Sequence, residues 1–233
     1  TAEGPRHFEF TPGPVFANLL LADEINRTPP KTQSALLEAM QEKQVTMAGK
    51  TMALPVPFLV FATQNPIEHE GTYPLFEAQL DRFFFNIVID YPAYDQEREV
   101  VLRTTGQSPV RTASVLQPDD IERMQTAILE IQVPDHVLDG ILTITNSSRP
   151  ASALADEYVR KYVEWGAGPR ASQALTLAAK ASALLRGEPA ASMEDVADIA
   201  APVLRHRILP SYNATGEGVH VEEIIRHLVE KHV

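Results

Sequence analysis

Leu19-Leu20-Leu21-Ala22-Asp23-Glu24 is a short unbroken apolar run that ends in two adjacent carboxylates. A run of this length, bounded by polar or turn residues, reads as a strand buried on both faces, as in a parallel sheet. Two other stretches have the same form, Phe58 to Thr63 and Phe83 to Ile89. Between the first two, Thr28-Pro29-Pro30 precedes Lys31 to Glu42. Proline suits a first helical turn, and Leu36, Leu37, Ala39 and Met40 supply an apolar face, so the spacing predicts a helix. Val45 to Leu54 reads as a hairpin that turns at Ala48-Gly49-Lys50. Strands joined through a helix define an α/β region with a parallel sheet.

Beyond residue 108 the texture becomes helical. Pro118 to Ile131 and Pro134 to Thr145 carry helical apolar spacing. Arg170 to Arg186 is rich in Ala and Leu and stops at Gly187, a C-terminal signal. Ser192-Met193-Glu194-Asp195 matches a capping box, and Val221 to Val229 is a last amphipathic helix. The expected organisation is an α/β part over 1–108, a linker over 109–117 and an all-α part over 118–233.

The bulk numbers bound the function. With 233 residues, 44% of them hydrophobic, the chain can build one large core or two small ones. Acidic residues outnumber basic ones by 31 to 20, giving a net charge of -11, and no Lys/Arg cluster appears, which argues against a dedicated nucleic-acid binder. The absence of cysteine excludes disulfides and thiolate chemistry. No run has the length of a membrane span and no signal peptide is visible, so a cytoplasmic protein with no membrane partner is expected. The first residue is Thr1 rather than Met, and the chain is expected to begin inside a longer gene product.

Four places carry candidate chemistry. Asp23 and Glu24 end a buried strand at the edge where open α/β sheets bind ligands. One such acid can hold Mg²⁺ or its waters and the other can take a proton. The pair equally fits a plain solvated strand end. Phe61-Ala62-Thr63-Gln64-Asn65-Pro66 ends a second run in amides, and the Asn65 side chain can both donate to and accept from a water. Asn-Pro is also an ordinary turn. Arg82 precedes the third run and would sit at the opposite edge if all three strands are parallel, badly placed for its own site but well placed for a neighbour's. The alternative is a surface Asp81–Arg82 pair of little worth. Arg170 lies in the first turn of a helix, where the dipole does not favour a cation. It can equally be an ordinary exposed arginine.

Taken in order, these segments resemble Walker B, sensor 1, arginine finger and sensor 2 of AAA+ ATPases. The wording resembles the MoxR family across nearly the whole chain. It does so in Gly13-Pro14-Val15-Phe16, in Ala22-Asp23-Glu24-Ile25-Asn26-Arg27-Thr28-Pro29-Pro30-Lys31-Thr32-Gln33 and in Leu36-Leu37-Glu38-Ala39-Met40-Gln41-Glu42. Ala62-Thr63-Gln64-Asn65-Pro66-Ile67-Glu68, Glu70-Gly71-Thr72-Tyr73-Pro74, Glu77-Ala78-Gln79-Leu80-Asp81-Arg82-Phe83 and Pro202-Val203-Leu204-Arg205-His206-Arg207 continue it. The resemblance implies the C-terminal part of an AAA+ αβα core followed by a helical lid. It implies ATP and Mg²⁺, with Asp23 organising Mg²⁺ through water and Glu24 activating the attacking water. Asn65 would position that water, Arg82 would act on ATP of the adjacent subunit, and Arg170 would contact the γ-phosphate. It further implies a homo-oligomeric ring, a hexamer, that remodels or matures a protein client, with a von Willebrand A domain protein as a partner. Phe8-Glu9-Phe10 looks like the end of an insertion in the family's second helix, and Val45 to Leu54 like the hairpin before sensor 1.

One departure stands out. No G-x-x-x-x-G-K-[ST] phosphate loop occurs, and Gly49-Lys50-Thr51 lacks the first glycine and sits in the hairpin. By the resemblance the true loop lies upstream of Thr1. This keeps a non-catalytic scaffold fragment open as an alternative. A nucleic-acid motor is a second one, opposed by the acidic balance.

Overall fold

A computed structural model describes residues 11–47, 49–65, 71–106 and 113–233. Phe8-Glu9-Phe10, Ala48 of the hairpin turn, Pro66 to Glu70 and residues 109–112 of the expected linker lie outside the described residues. The chain forms two compact units that divide after Arg82, earlier than the change of texture near residue 108.

The first unit contains β1 (Leu19–Ala22), a single 3₁₀ turn (Ile25–Arg27), α1 (Pro30–Glu42), β2 (Gln44–Met47), β3 (Lys50–Ala53), β4 (Leu59–Ala62) and the short α2 (Glu77–Leu80). β1 and β4 pair in parallel, from Leu19 opposite Leu59 to Ala22 opposite Ala62. A parallel pair needs a crossover, and here α1 and the antiparallel β2–β3 hairpin supply it. Pro30 opens α1 at its first position, as the sequence predicts. Lys43 ends the helix in the left-handed region, at φ 53°. Its ammonium donates to the Phe58 carbonyl at 3.2 Å, and burial pushes its pKa down. The helix end is thus tied to the chain entering β4. Ala39, Leu54 and Phe58 form the small core, flanked by Leu20, Val45 and Val60.

Two strand expectations need correction. β1 and β4 are buried on one face, not two: Leu19, Leu21 and Phe61 are exposed, while Leu20 and Val60 turn to the core. The helix and hairpin cover that one face, and no described element covers the other. Phe83 to Ile89 does not form a strand. No described strand runs beside it. Its backbone groups bond instead to the end of a helix of the second unit, where Pro202 O accepts from Asn86 N and Arg207 donates to the Phe83 and Phe84 carbonyls.

The second unit is helical: α3 (Tyr94–Thr104), α4 (Pro118–Glu130), α5 (Asp135–Ser147), α6 (Glu157–Tyr162), β5 (Val163–Trp165), α7 (Pro169–Arg186), α8 (Met193–Leu204), β6 (Leu209–Pro210), α9 (Tyr212–Glu217) and α10 (Val221–His232). Its core takes Ile141 and Ile144 from α5, Leu175 from α7, Val196 and Leu204 from α8, and Ile224 and Leu228 from α10. Ala171, Ala174, Ala178 and Ala179 line the buried side of α7, where small side chains let neighbouring helices approach closely. Gly187 ends α7 at φ 78°, the left-handed conformation that glycine adopts without strain. The capping box forms as expected: Ser192 Oγ accepts from Asp195 N and the Asp195 carboxylate accepts from Ser192 N.

Asp195 also joins two helices. Its carboxylate is buried and takes both Arg186 guanidinium nitrogens, with Ser192 Oγ beside it. Burial alone would raise its pKa, but hydrogen bonds from Arg186, Ser182 and Ser192 outweigh this and bring it from the ordinary 3.8 to about 2. The folded value lies below the unfolded one. The stabilisation is therefore complete above pH 3.8 and is lost as pH falls through 2. Because Arg186 is half exposed and screened, Asp195→Asn should cost roughly 1–2 kcal/mol at neutral pH. Melting scans should show this loss at pH 7 and a smaller gap from wild type at pH 3.

Candidate functional site

The parallel ladder of β1 and β4 runs one step beyond the strands. Thr63 N donates to Ala22 O at 3.1 Å and Ile25 N donates to Thr63 O at 2.9 Å. Asp23 and Glu24 span the interval between those two anchors. To make that span Glu24 turns into the left-handed region, at φ 48° and ψ 53°. For a residue with a Cβ this costs about 1–2 kcal/mol. Such strain persists only where surrounding contacts over-determine the conformation. Here Glu24 N donates to Thr63 Oγ1 at 2.8 Å, and that hydroxyl donates to Asp23 Oδ1 at 2.6 Å. The Glu24 side chain is partly exposed, with Arg27 3.5 Å away as a loose and exposed counter-ion.

Asn65 reaches the same edge from β4. Its main-chain carbonyl accepts from Asn26 Nδ2 at 3.1 Å, and Asn26 O in turn accepts from Tyr73 N. Gln33, in the first turns of α1 and almost fully buried, donates to Ile25 O at 3.0 Å and Tyr73 O at 2.8 Å. Two amides therefore stitch together the loop after β1, the loop after β4 and the segment around Tyr73. The sequence reading singled out none of Thr63, Asn26 and Gln33 for a role of its own. Asn26 and Gln33 could have been suspected as polar residues beside the apolar positions Ile25 and Leu36-Leu37.

The structure thus brings Asp23, Glu24 and Asn65 together at the carboxyl edge of the parallel pair. Arg82 is exposed and lies just after α2, its N–H donating to Gln79 O at 3.3 Å. Because Phe83 to Ile89 is not a strand, the opposite-edge argument for Arg82 no longer holds. Arg170 is exposed, the second residue of α7, and belongs to the second unit. The entry to α7 is fixed: Ala167 N donates to Ser148 Oγ at 2.9 Å and Arg149 Nε donates to Ala167 O at 2.9 Å. Gly166 must be glycine, since a Cβ there would stand 2.4 Å from Ser148 O.

Asp23 fits a Mg²⁺ site by its chemistry. It is a hard oxygen donor with Oδ1 oriented by Thr63, and Mg²⁺ beside a phosphate takes one or two carboxylates and keeps waters. Among the described residues no group of three or more His, Cys, Asp or Glu gathers to hold a metal unaided. Gly49-Lys50-Thr51 lies in the hairpin turn and β3, not between a strand and a helix, so it is no phosphate loop.

Comparison with known proteins gives the family and the fold. Residues 1–85 match the model of the ATPase family associated with various cellular activities (AAA), and residues 155–228 match the AAA lid domain. The chain is 42% identical over 228 residues to chaperone MoxR1 of Mycobacterium tuberculosis, covering 98% of this chain and 60% of that protein. It is 41% identical to the uncharacterized protein YeaC of Bacillus subtilis, covering 95% and 67%. A crystal structure of a provisionally assigned ATPase from Cytophaga hutchinsonii superposes with a TM-score of 0.90 at 38% identity, covering 97% of this chain and 68% of that one. The fold and the site therefore define part of an AAA+ core with its lid. The chain belongs to the MoxR family of AAA+ ATPases and spans about three-fifths of its MoxR1 relative. Among the described residues no helix is long and apolar enough to cross a membrane.

Gln33 offers a test of the stitching. Gln33→Leu keeps the volume but removes the donor that Ile25 O shares with Thr28 N and the donor to the part-buried Tyr73 O, at about 1–3 kcal/mol in all. A lowered melting temperature is expected, and an unchanged one would show that Ile25 O and Tyr73 O are satisfied without it.

Proposed function

We propose that the full-length protein hydrolyses ATP in a homo-oligomeric, hexameric ring in the cytoplasm and uses the cycle to remodel or mature a protein client. The observation that carries this reading is the edge at which Asp23, the strained Glu24 and Asn65 converge. Glu24 is the general base: its side chain is partly exposed at the strand end, where it can accept a proton from an attacking water. Asn65 orients that water. Asp23 holds Mg²⁺ through water, and the chemistry Mg²⁺ supplies when bound is neutralisation of phosphate charge. Arg170 contacts the γ-phosphate from the lid, and Arg82 reaches the ATP of an adjacent subunit. In this reading the core ends near residue 108, 109–117 is the linker and 118–233 the lid. A von Willebrand A domain protein is a candidate partner.

The hairpin is the candidate client-facing element. Val45 pairs with Met52 and Met47 with Lys50, so these four share one face. Val45 packs on the core, while Met47 at the tip is half exposed. Lys50 is the single cation of the hairpin, too few to track a phosphate backbone, whereas methionine suits adaptable apolar contact. This favours a protein over a nucleic acid.

The test uses the full-length protein. Glu24→Gln should keep ATP affinity and lose turnover by on the order of 10²–10⁴-fold. Phosphate release near wild type would overturn the assignment. Arg82→Ala should also bind ATP normally while kcat falls by on the order of 10³-fold. Mixing it with Glu24→Gln should restore part of the activity, because some interfaces then join an intact Glu24 to an intact Arg82. Wild-type turnover by Arg82→Ala alone would remove Arg82 from the mechanism.

A further inference from the structure

A single residue holds both acids of the proposed mechanism. Thr63 does so with three of its own atoms. Its N–H bonds Ala22 O, its carbonyl accepts from Ile25 N, and its hydroxyl sits between the two acids. The hydroxyl's proton position is forced. Glu24 N–H can only donate, so Oγ1 accepts there at 2.8 Å, and its single proton is left for Asp23 Oδ1 at 2.6 Å. The hydroxyl thereby fixes one oxygen of the Asp23 carboxylate. It also pins the amide of Glu24, the residue whose backbone sits at φ 48°. One hydroxyl therefore sets both the aim of the acid proposed for Mg²⁺ and the left-handed turn that presents the proposed base.

We propose that Thr63 is a positioning residue for ATP hydrolysis, acting through the hydroxyl that couples the Asp23 carboxylate to the backbone of Glu24. The inference rests on the ATPase reading above. A serine keeps the hydroxyl and should substitute for it. Valine keeps the shape and removes it. The side chain is exposed, so the exchange does not disturb a core.

The experiment compares wild type, Thr63→Ser, Thr63→Val and Thr63→Ala in the full-length protein, each with a thermal melt. Thr63→Ala is a second hydroxyl-free variant of smaller bulk. In the nucleotide-free protein, amide exchange at Glu24 followed by NMR reads the hydrogen bond directly. Exchange should quicken at least about tenfold in Thr63→Val and Thr63→Ala and stay near wild type in Thr63→Ser. In steady-state ATPase assays the hydroxyl-free variants should lose about 10- to 100-fold in kcat, with KM for ATP little changed. They should also need several-fold more Mg²⁺ for half-maximal rate, a shift that a purely structural role would not produce. Thr63→Ser should restore both. Unchanged exchange at Glu24, an unchanged Mg²⁺ response in folded Thr63→Val, or a Thr63→Ser as impaired as Thr63→Val would each overturn the proposal. If wild type itself shows no ATPase, or Glu24→Gln turns over normally, the ATPase reading falls, and with it the catalytic part of this one. The amide exchange would still report whether the hydroxyl holds the turn.

Discussion

The hydrogen bonds from Thr63 N to Ala22 O and from Ile25 N to Thr63 O carry the pairing of β1 and β4 past the strands themselves. The rest of the site depends on that extension. A parallel register places both carboxyl ends at one edge, but the strands alone would leave Asp23 and Glu24 as a fraying end. With Ile25 anchored on the far side, only two residues bridge the gap. The chain closes it by turning Glu24 left-handed. The strain, about 1–2 kcal/mol, is comparable to the net worth of one or two hydrogen bonds, about 0.5–1.5 kcal/mol each. The bonds from Glu24 N and Ile25 N to Thr63 offset it. The acids are therefore set in place by the fold before any ligand arrives.

How much of this could be read from residues varies with the kind of signal. Helix boundaries were legible because they rest on local chemistry. Pro30 starts α1, Gly187 stops α7, and Ser192 with Asp195 caps α8. The edge shared by Asp23, Glu24 and Asn65 was legible because it follows from parallel strands alone. The strand expected at Phe83 to Ile89 was not, since an apolar run says nothing about who pairs with it. Arg205, His206 and Arg207 at the end of α8 engage the carbonyls of Phe83, Phe84 and Asn86 instead. Burial of β1 on both faces failed for the same reason, because cover for the second face is a property of neighbours. Thr63, Asn26 and Gln33 escaped notice because their roles depend on the φ of one residue and on a register, neither of which composition or spacing encodes.

The charged groups of the proposed site then fall into two kinds. Asp23 and Glu24 are short-range tools: a base must stand within hydrogen-bond reach of its water, and small displacements cost rate steeply. They are the groups that the fold holds by main-chain and hydroxyl contacts. Arg82 and Arg170 are long, exposed side chains at the ends of α2 and the start of α7. A guanidinium loses rotamer freedom when it docks, but its planar fork recovers that loss on meeting a phosphate. A site that hydrolyses only when correctly assembled gains from this division. In the proposed reading the acids act over hydrogen-bond distance within their own subunit, whereas Arg82 acts across a subunit boundary and Arg170 from the lid, so turnover depends on assembly as well as on the carboxylates.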